Sequence, residues 1–213
     1  MRLDKIIWRA AWKTLAAVAA LFAIMVCVLV AFFPHTVMDL TDSLGMDKLS
    51  VKFAITSYER FDRVDYIAKG ANVALRANLH ERAEECLETL VADDGFESYC
   101  AAKDQAAGEL QAGEGYRDYY YRQLCASKYR AGKGNAAVDR AIELMGLSFS
   151  VGNPLITVVA EARADGAAGA STIDYAYEKM TEIKSGVYGG YSAQEQASFD
   201  RVYATVTAWA AQA

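Results

Sequence analysis

An uncharged stretch from Thr14 to Phe33 constrains this chain more than any other feature of its sequence. About 20 apolar residues, rising about 1.5 Å each in a helix, match the roughly 30 Å hydrocarbon core of a bilayer. A cleavable secretory signal usually has an apolar core of only about 7–15 residues and ends at a small-residue cleavage motif. The sequence around Phe33 lacks such a motif. We therefore expect an uncleaved transmembrane signal-anchor helix over residues 14–33.

The charges that flank this stretch predict how it is oriented. Four basic residues and one acidic residue precede it, whereas acidic residues predominate just after it. Because positively charged flanks stay in the cytoplasm, we expect residues 1–13 to form a cytoplasmic basic segment and residues 34–213 to form an extracytoplasmic domain. The compact layout of one anchor and one domain suggests a single-pass protein of the bacterial cytoplasmic membrane.

The predicted anchor also carries small residues that would allow contact with another membrane helix. Small side chains four positions apart let two membrane helices approach closely. Two pairs of alanines have this spacing, Ala16 with Ala20 and Ala19 with Ala23.

The charge and composition of the remaining chain narrow the class of domain. The net charge of −5 for the whole chain leaves −8 for residues 36–213, because the N-terminal segment is basic. We do not expect such an acidic domain to bind nucleic acid or to dock on anionic lipid by charge. Only two prolines and many alanines favour an all-α domain over a β-sandwich.

Apolar residues recur at three- and four-residue steps through the domain and predict a series of short helices. Asn153 followed by Pro154 predicts a capped helix start, and Ser192 with Glu195 has the pattern of a capping box. We expect breaks at residues 112–115 and at the turn 132–134, after which Asn135 is predicted to cap the next helix. The other predicted helices span residues 47–60, 61–77, 80–91, 96–110, 116–131, 154–164 and 170–184.

Two segments of the domain resemble each other. YIAKGANVALRANLHERAEECLE begins at Tyr66, and YRQLCASKYRAGKGNAAVDRAIE begins at Tyr121. Each has a helix with small residues midway, a tight turn, and a second helix that contains the sequence small-apolar-Glu. This arrangement resembles the tetratricopeptide family of helix–turn–helix repeats, whose period is about 34 residues. The resemblance implies that small residues lie where paired helices touch, at Ala71, Ala83, Cys125 and Ala137.

The resemblance is incomplete, which leaves the arrangement of the helices open. The characteristic Trp, Leu-Gly and closing Pro are mostly absent, and the two clear units lie 55 residues apart with an extra helix between them. Residues 44–54 resemble the turn and second helix of an earlier, incomplete unit. The expected fold is all-α, with antiparallel helical hairpins that form either a short solenoid or a plain bundle.

The sequence predicts no catalytic, cofactor-binding or metal site. His80 and Glu84 lie one helical turn apart, but a metal site needs three or four ligands, and we expect both to be solvated. The sequence has no phosphate-binding loop, nucleophile elbow or kinase signature. Cys86, Cys100 and Cys125 are an odd number of thiols outside the predicted anchor, and the sequence leaves open whether two of them form a disulfide.

The sequence predicts binding residues mainly by analogy with the repeat family. The first helices of tetratricopeptide units line a groove that receives peptides, and exposed tyrosines often anchor protein interfaces. By that resemblance the candidates on the first helices are Asn72, Arg76, Tyr119, Arg122, Gln123 and Lys128. Tyr188 and Tyr191, set among glycines, are predicted to form a second adhesive loop. The expected function is a membrane-tethered, non-catalytic scaffold for another protein. The alternatives are an accessory subunit of a membrane complex and an envelope enzyme without a visible motif.

Overall fold

The computed structural model describes residues 2–107, 115–145 and 153–212. These residues form eleven α-helices and two short 3₁₀ helices and contain no β-strand, so the predicted all-α class is confirmed. The α-helices are α1 (Arg2–Phe32), α2 (Pro34–Ser43), α3 (Asp47–Phe61), α4 (Val64–Arg76), α5 (His80–Ala92), α6 (Phe96–Ala107), α7 (Tyr116–Arg130), α8 (Gly134–Met145), α9 (Pro154–Ala164), α10 (Ala170–Ser185) and α11 (Ala193–Ala210).

Helix α1 contains the apolar stretch found in the sequence. Its part Ala11–Phe32 is 22 residues long and exposed, and within the described residues it is the one helix long and apolar enough to cross a membrane. A signal sequence meets the same criterion of length and composition. The helix ends at Phe32, because Phe33 leaves the helical conformation (φ −132°, ψ 54°) and Pro34 opens α2.

The boundaries of two predicted helices are corrected by the structure. Helix α4 begins at Val64 rather than at residue 61, because Asp62 has a left-handed backbone (φ 51°) and Arg63 is extended. Helix α8 begins at Gly134, so Asn135 lies inside its first turn and does not cap it. The carbonyl of Lys133 already accepts the first helical hydrogen bond. Residues 108–110 of a predicted helix and 112–114 of a predicted break lie outside the described residues.

Most of the described helices after α1 pack in adjacent pairs. The pairs α2–α3, α4–α5, α7–α8 and α9–α10 are hairpins, and α11 packs on the last of them. Each hairpin turn contains one residue with a left-handed backbone, and these residues are Gly45, Asn78, Gly132 and Gly166. Successive turns are therefore 33, 54 and 34 residues apart. The long middle interval contains α6, which packs against α4, α5 and α7.

The turns of the two clearest units share their backbone hydrogen bonds. The amide of Leu79 donates to the carbonyl of Ala74 at 2.9 Å, and the amide of Lys133 donates to the carbonyl of Lys128 at 3.1 Å. In each turn the amide donates to a carbonyl five residues earlier, as it does where a helix ends in a left-handed residue. The same closing geometry therefore recurs 54 residues later in the chain.

The earlier unit, expected to be incomplete, has both of its helices. Residues 34–43 form α2, which packs along α3 as the first helix of that hairpin. Proline at the first helical position is favourable, because its fixed φ suits the helix and its missing N–H would have no partner there. The Ser50 hydroxyl of α3 donates to the carbonyl of Met38 in α2 at 3.2 Å.

Small residues permit close contact between neighbouring helices. Ala71, Ala83, Cys125 and Ala137 are all completely buried, as the resemblance implied. A Cβ atom placed on Gly70 would lie 2.7 Å from the Cβ of Ala54, so α3 and α4 approach too closely for a larger residue there.

The buried apolar residues form two clusters that meet at α7. Tyr120 and Leu124 belong to the N-terminal cluster with residues of α3 to α6, whereas Cys125 belongs to the C-terminal cluster with residues of α8 to α11. Helix α7 thus contributes buried side chains to both clusters and joins the two halves of the array.

Candidate protein-binding surface

Side-chain contacts link the first helices α2, α4 and α7. Lys69 of α4 pairs with Asp39 of α2. The amide of Asn72 in α4 donates to the hydroxyl of Tyr120 in α7 at 3.4 Å. These contacts bring together the helices that carry the binding residues predicted from the sequence.

Asn72 and Arg76 present polar groups on the exposed side of α4. Both residues are exposed, and the guanidinium of Arg76 pairs with Asp42 at 2.5 Å and with Asp47 at 3.3 Å. A surface pair of this kind contributes only about 0–1 kcal/mol, because solvent screens it and both side chains lose conformational freedom. Arg76 can therefore exchange these carboxylates for those of a ligand at little cost.

The predicted residues of α7 differ in their accessibility. Tyr119, Arg122 and Gln123 are half-buried. The side chain of Lys128 is only 15% exposed, and its ammonium lies 2.9 Å from a carboxylate oxygen of Glu88. Lys128 is therefore held within a polar network, whereas the other three residues lie at the surface.

Helix α6 explains how several neighbouring tyrosines are accommodated. Of the four tyrosines between positions 116 and 121, Tyr120 is buried and the others are half-buried. Phe96 of α6 stacks on Tyr121 with ring centroids 5.7 Å apart, and Tyr99 lies 6.3 Å from Tyr120. Because α6 covers one side of α7, the tyrosines have two apolar surfaces on which to pack.

The two tyrosines of the glycine-rich link are attached to α11. The Tyr188 hydroxyl donates to Asp200 at 2.7 Å, and the Tyr188 and Tyr191 rings lie 5.3 and 6.2 Å from that of Phe199. The side-chain amide of Gln196 donates to the carbonyls of both tyrosines. These contacts place both rings partly in the C-terminal core, on a different element from the residues of α4 and α7.

A polar network between α5, α7 and α8 was not predicted from the sequence. Glu84 is only 8% exposed, and its carboxylate accepts hydrogen bonds from the Lys133 ammonium at 2.8 and 2.9 Å. Glu88 pairs with Lys128 at 2.9 Å and with Arg140 at 2.8 Å. The expectation that Glu84 is solvated is therefore wrong. In the sequence, the burial of Glu84 was indicated only by its position next to Ala83 in the apolar stripe of α5.

The same network occupies one member of the pair His80 and Glu84, which was considered above as a metal site. The carboxylate of Glu84, one turn after His80, is already engaged by two lysines. Among the residues that the structure describes, no group of three metal-binding side chains occurs.

The cysteines outside α1 are buried thiols. Cys86, Cys100 and Cys125 are free and lie in the apolar clusters. Burial raises the pKa of each thiol to about 12. A thiol with so high a pKa forms little thiolate at neutral pH and is a poor nucleophile.

A groove of about 900 Å³ lies between the second helices α3 and α5. Its walls mix polar and apolar side chains, including Lys52, Ile55 and Glu85. No pattern in the sequence predicted this groove, because it forms between helices that are separated along the chain by α4.

Comparisons of the chain with protein-family models, with curated proteins and with solved structures found no match. The described residues form an all-helical array of adjacent helix pairs that follows one long apolar helix.

Proposed function

We propose that this chain is a membrane-tethered, non-catalytic scaffold that binds another protein through its helical repeat-like domain. The observation that carries the proposal is the recurrence of hairpin turns 33 and 34 residues apart on both sides of α6. This interval matches the period of about 34 residues in tetratricopeptide repeats, which act by binding proteins. The insertion of α6 accounts for the longer middle interval and for the weak repeat pattern in the sequence.

The proposed binding surface is the side of α4 and α7 that carries Asn72, Arg76, Tyr119, Arg122 and Gln123. It combines exposed polar groups with a half-buried aromatic ring, which is a common composition for a protein interface. Arg76 is held on this surface only by exposed ion pairs with Asp42 and Asp47. We expect the partner to present a carboxylate to Arg76.

The membrane attachment in this proposal rests on α1. The exposed apolar part Ala11–Phe32 has the length of a bilayer span, and basic residues precede it. The charge difference between the two flanks supports a cytoplasmic N-terminus and an extracytoplasmic domain.

The test is photocrosslinking in intact cells that express the full chain. A photoreactive residue replaces Asn72 or Gln123 on the proposed surface, and Asp174 on the exposed side of α10 is the matched control. We expect the same protein to be captured from positions 72 and 123, and its yield to fall when Arg76→Glu is added. Equal capture from position 174, or no capture from either surface position, would contradict the proposal.

An accessory subunit of a membrane complex is a second candidate. Ala16, Ala19, Ala20 and Ala23 are exposed on α1, and their spacing places them on one side of the helix. Small residues on one side of a membrane helix permit contact with a partner helix. Replacement of residues 14–33 by an unrelated apolar span distinguishes the scaffold from the accessory subunit. A scaffold that uses α1 only as a tether should keep its crosslinks at positions 72 and 123, whereas a subunit held in a complex by α1 should lose them.

A further inference from the structure

The end of the helical array nearest α1 exposes an apolar surface, which we call the end face. Leu40 and Leu44 are four residues apart at the C-terminal end of α2 and therefore lie on the same side of it, and Phe33 directly precedes the helix. The buried residues of α2 include Met38 and Thr41. The end face consists of Phe33, Leu40, Leu44, Met46 and Leu49, whose side chains are 42–65% exposed.

The other end of the array has a different surface. Among the described residues of α11, those that are exposed include Gln194, Asp200 and Arg201 together with several alanines, and no large apolar side chain. Terminal units of repeat arrays need a polar outer surface to remain soluble. Helix α11 meets this requirement and the first hairpin does not, which indicates that the end face is covered in the working protein.

Helix α1 leaves the array from this same end. Phe33 is the single residue between α1 and α2, and its amide donates to the carbonyl of Leu29 at 2.8 Å. Arg60, at the end of α3, donates to the carbonyl of Ala31. The last turn of α1 is therefore bonded to the end of α3, and only Phe33 separates α1 from α2, so no flexible linker lies between the apolar helix and the end face.

The length of α1 sets the level at which the end face begins. The 22 residues of Ala11–Phe32 rise about 33 Å in a helix, close to the roughly 30 Å hydrocarbon thickness of a bilayer. When α1 spans a bilayer, Phe33 lies at the boundary between the acyl chains and the headgroups. Leu40 and Leu44 then lie on the helix that starts at this boundary.

We propose that the end face docks on the outer surface of the bilayer that α1 spans, with Leu40, Leu44 and Leu49 in the boundary between headgroups and acyl chains. An amphipathic helix that presents leucines in this way inserts its apolar side into that layer. This inference rests on the membrane attachment in the proposed function and adds a fixed orientation of the domain against the lipid.

The charges around α2 favour a lipid surface with neutral headgroups. Its acidic residues Asp39 and Asp42 are paired with Lys69 and Arg76 of α4, on the side next to that helix. Their charges are thus partly neutralised and directed away from the end face. The attraction that remains is the burial of apolar area.

Aromatic rings at the junction support the same orientation. His35 lies 5.6 Å from Phe61 and 5.8 Å from Tyr66, measured between ring centroids, and Phe61 is 38% exposed. Aromatic side chains are enriched where a protein crosses from lipid to water. The cluster stands beside the first turn of α2, next to the end face.

The test uses the full chain in nanodiscs of phosphatidylcholine with a fluorescent dye on one introduced cysteine. The dye is attached in the variants Leu44→Cys, Ala204→Cys and Met25→Cys, each with Cys27→Ala. Ala204 is exposed on α11 and Met25 is exposed on α1. The three buried thiols do not compete for the dye in the folded protein, since burial raises their pKa to about 12.

Quenching by doxyl-labelled phosphatidylcholine is compared with quenching by aqueous iodide. We expect the dye at position 44 to be quenched several-fold more by the lipid quencher than the dye at position 204, and several-fold less by iodide. Equal iodide quenching at the two positions overturns the inference. Protection of position 44 from both quenchers also overturns it, because protein then covers the end face.

The dye at position 25 separates this inference from the proposed function. If the lipid quencher reaches position 25 and fails to reach position 44, α1 spans the bilayer and only the docking of the end face is wrong. If the lipid quencher reaches neither, α1 is outside the bilayer, and both the membrane tether and the docking are wrong.

Discussion

Among the glycines that the structure describes, Gly169 is the position at which one added methyl group should most disturb the array. A Cβ atom there would lie 2.5 Å from the carbonyl carbon of Ala162 and 2.7 Å from its Cα, and still closer to its carbonyl oxygen. These atoms belong to the backbone of α9, so no side-chain rotation can relieve the contact. The φ of Gly169 is −90°, a conformation that alanine accepts, so the expected cost is steric.

The magnitude follows from how far the hairpin must open. Carbon atoms in ordinary contact are at least 3.4 Å apart, so α9 and the start of α10 must separate by about 1 Å. Overpacking of a well-packed core costs about 1–3 kcal/mol, and we expect the upper end because both sides are backbone. Gly169→Ala should therefore lower the free energy of unfolding by about 3 kcal/mol.

The matched control is Gly189→Ala. A Cβ atom on Gly189 meets nothing within 4 Å, and alanine there restricts the unfolded chain, which stabilises by about 0.4–1 kcal/mol. Urea unfolding of the full chain in detergent, followed by circular dichroism, measures both variants. With a slope of about 1–3 kcal/mol per M urea, Gly169→Ala should lower the midpoint by roughly 1–3 M. Equal midpoints for the two variants would refute the steric reasoning.

Two further predictions concern polar contacts between side chains that are distant in sequence. Glu84→Gln should lower the free energy of unfolding by about 1–3 kcal/mol, because Glu84 is buried between two lysines. The control Glu85→Gln removes an exposed ion pair and should lower it by only about 0–1 kcal/mol. The same urea titration checks this pair, and an equal cost for both variants argues against a buried role for Glu84. The Tyr58 hydroxyl donates to Asp93 at 2.6 Å, and this hydrogen bond, with burial, raises the pKa of Tyr58 to about 12. The pKa of a tyrosine in the unfolded chain is about 10, so the stability that Tyr58 adds is fully present below pH 10 and is lost between pH 10 and 12. Tyr58→Phe should therefore lower the free energy of unfolding by about 1 kcal/mol at pH 8 and by progressively less above pH 10. A difference in unfolding free energy that stays constant from pH 8 to 11 would count against this assignment.

Signals confined to a few residues predicted local structure well. The Asn153 side chain accepts hydrogen bonds from the amides of Leu155 and Ile156 at 2.8 and 3.2 Å, and Ser192 with Glu195 forms the predicted capping box. A cap depends on atoms within one helical turn, so the sequence contains all the information that it needs. The cap predicted at Asn135 was wrong because the left-handed Gly132 already ends α7 and places Lys133 at the start of α8.

Helix α2 shows where periodicity becomes too weak to detect. Only Pro34, Met38 and Thr41 are buried in its ten residues, and one of them is polar. Of its other apolar residues, Leu40 lies on the end face and Val37 is half-buried, so the contrast between a buried and an exposed side is small. Packing along α3 and contacts with α4 stabilise this helix, and neither is visible from residues 34–43 alone.

The sequence by itself determined the all-helical class, most helix boundaries, the long apolar helix and the small residues that paired helices bury. These features depend on intrinsic helix propensity, capping and the spacing of apolar residues along one segment. The tertiary structure alone decided that Glu84 is buried, that α6 covers the tyrosines of α7, and that Leu40 and Leu44 remain exposed. The environment of each of these side chains is supplied by helices distant in sequence, so its burial and charge pairing exist only after those helices have packed.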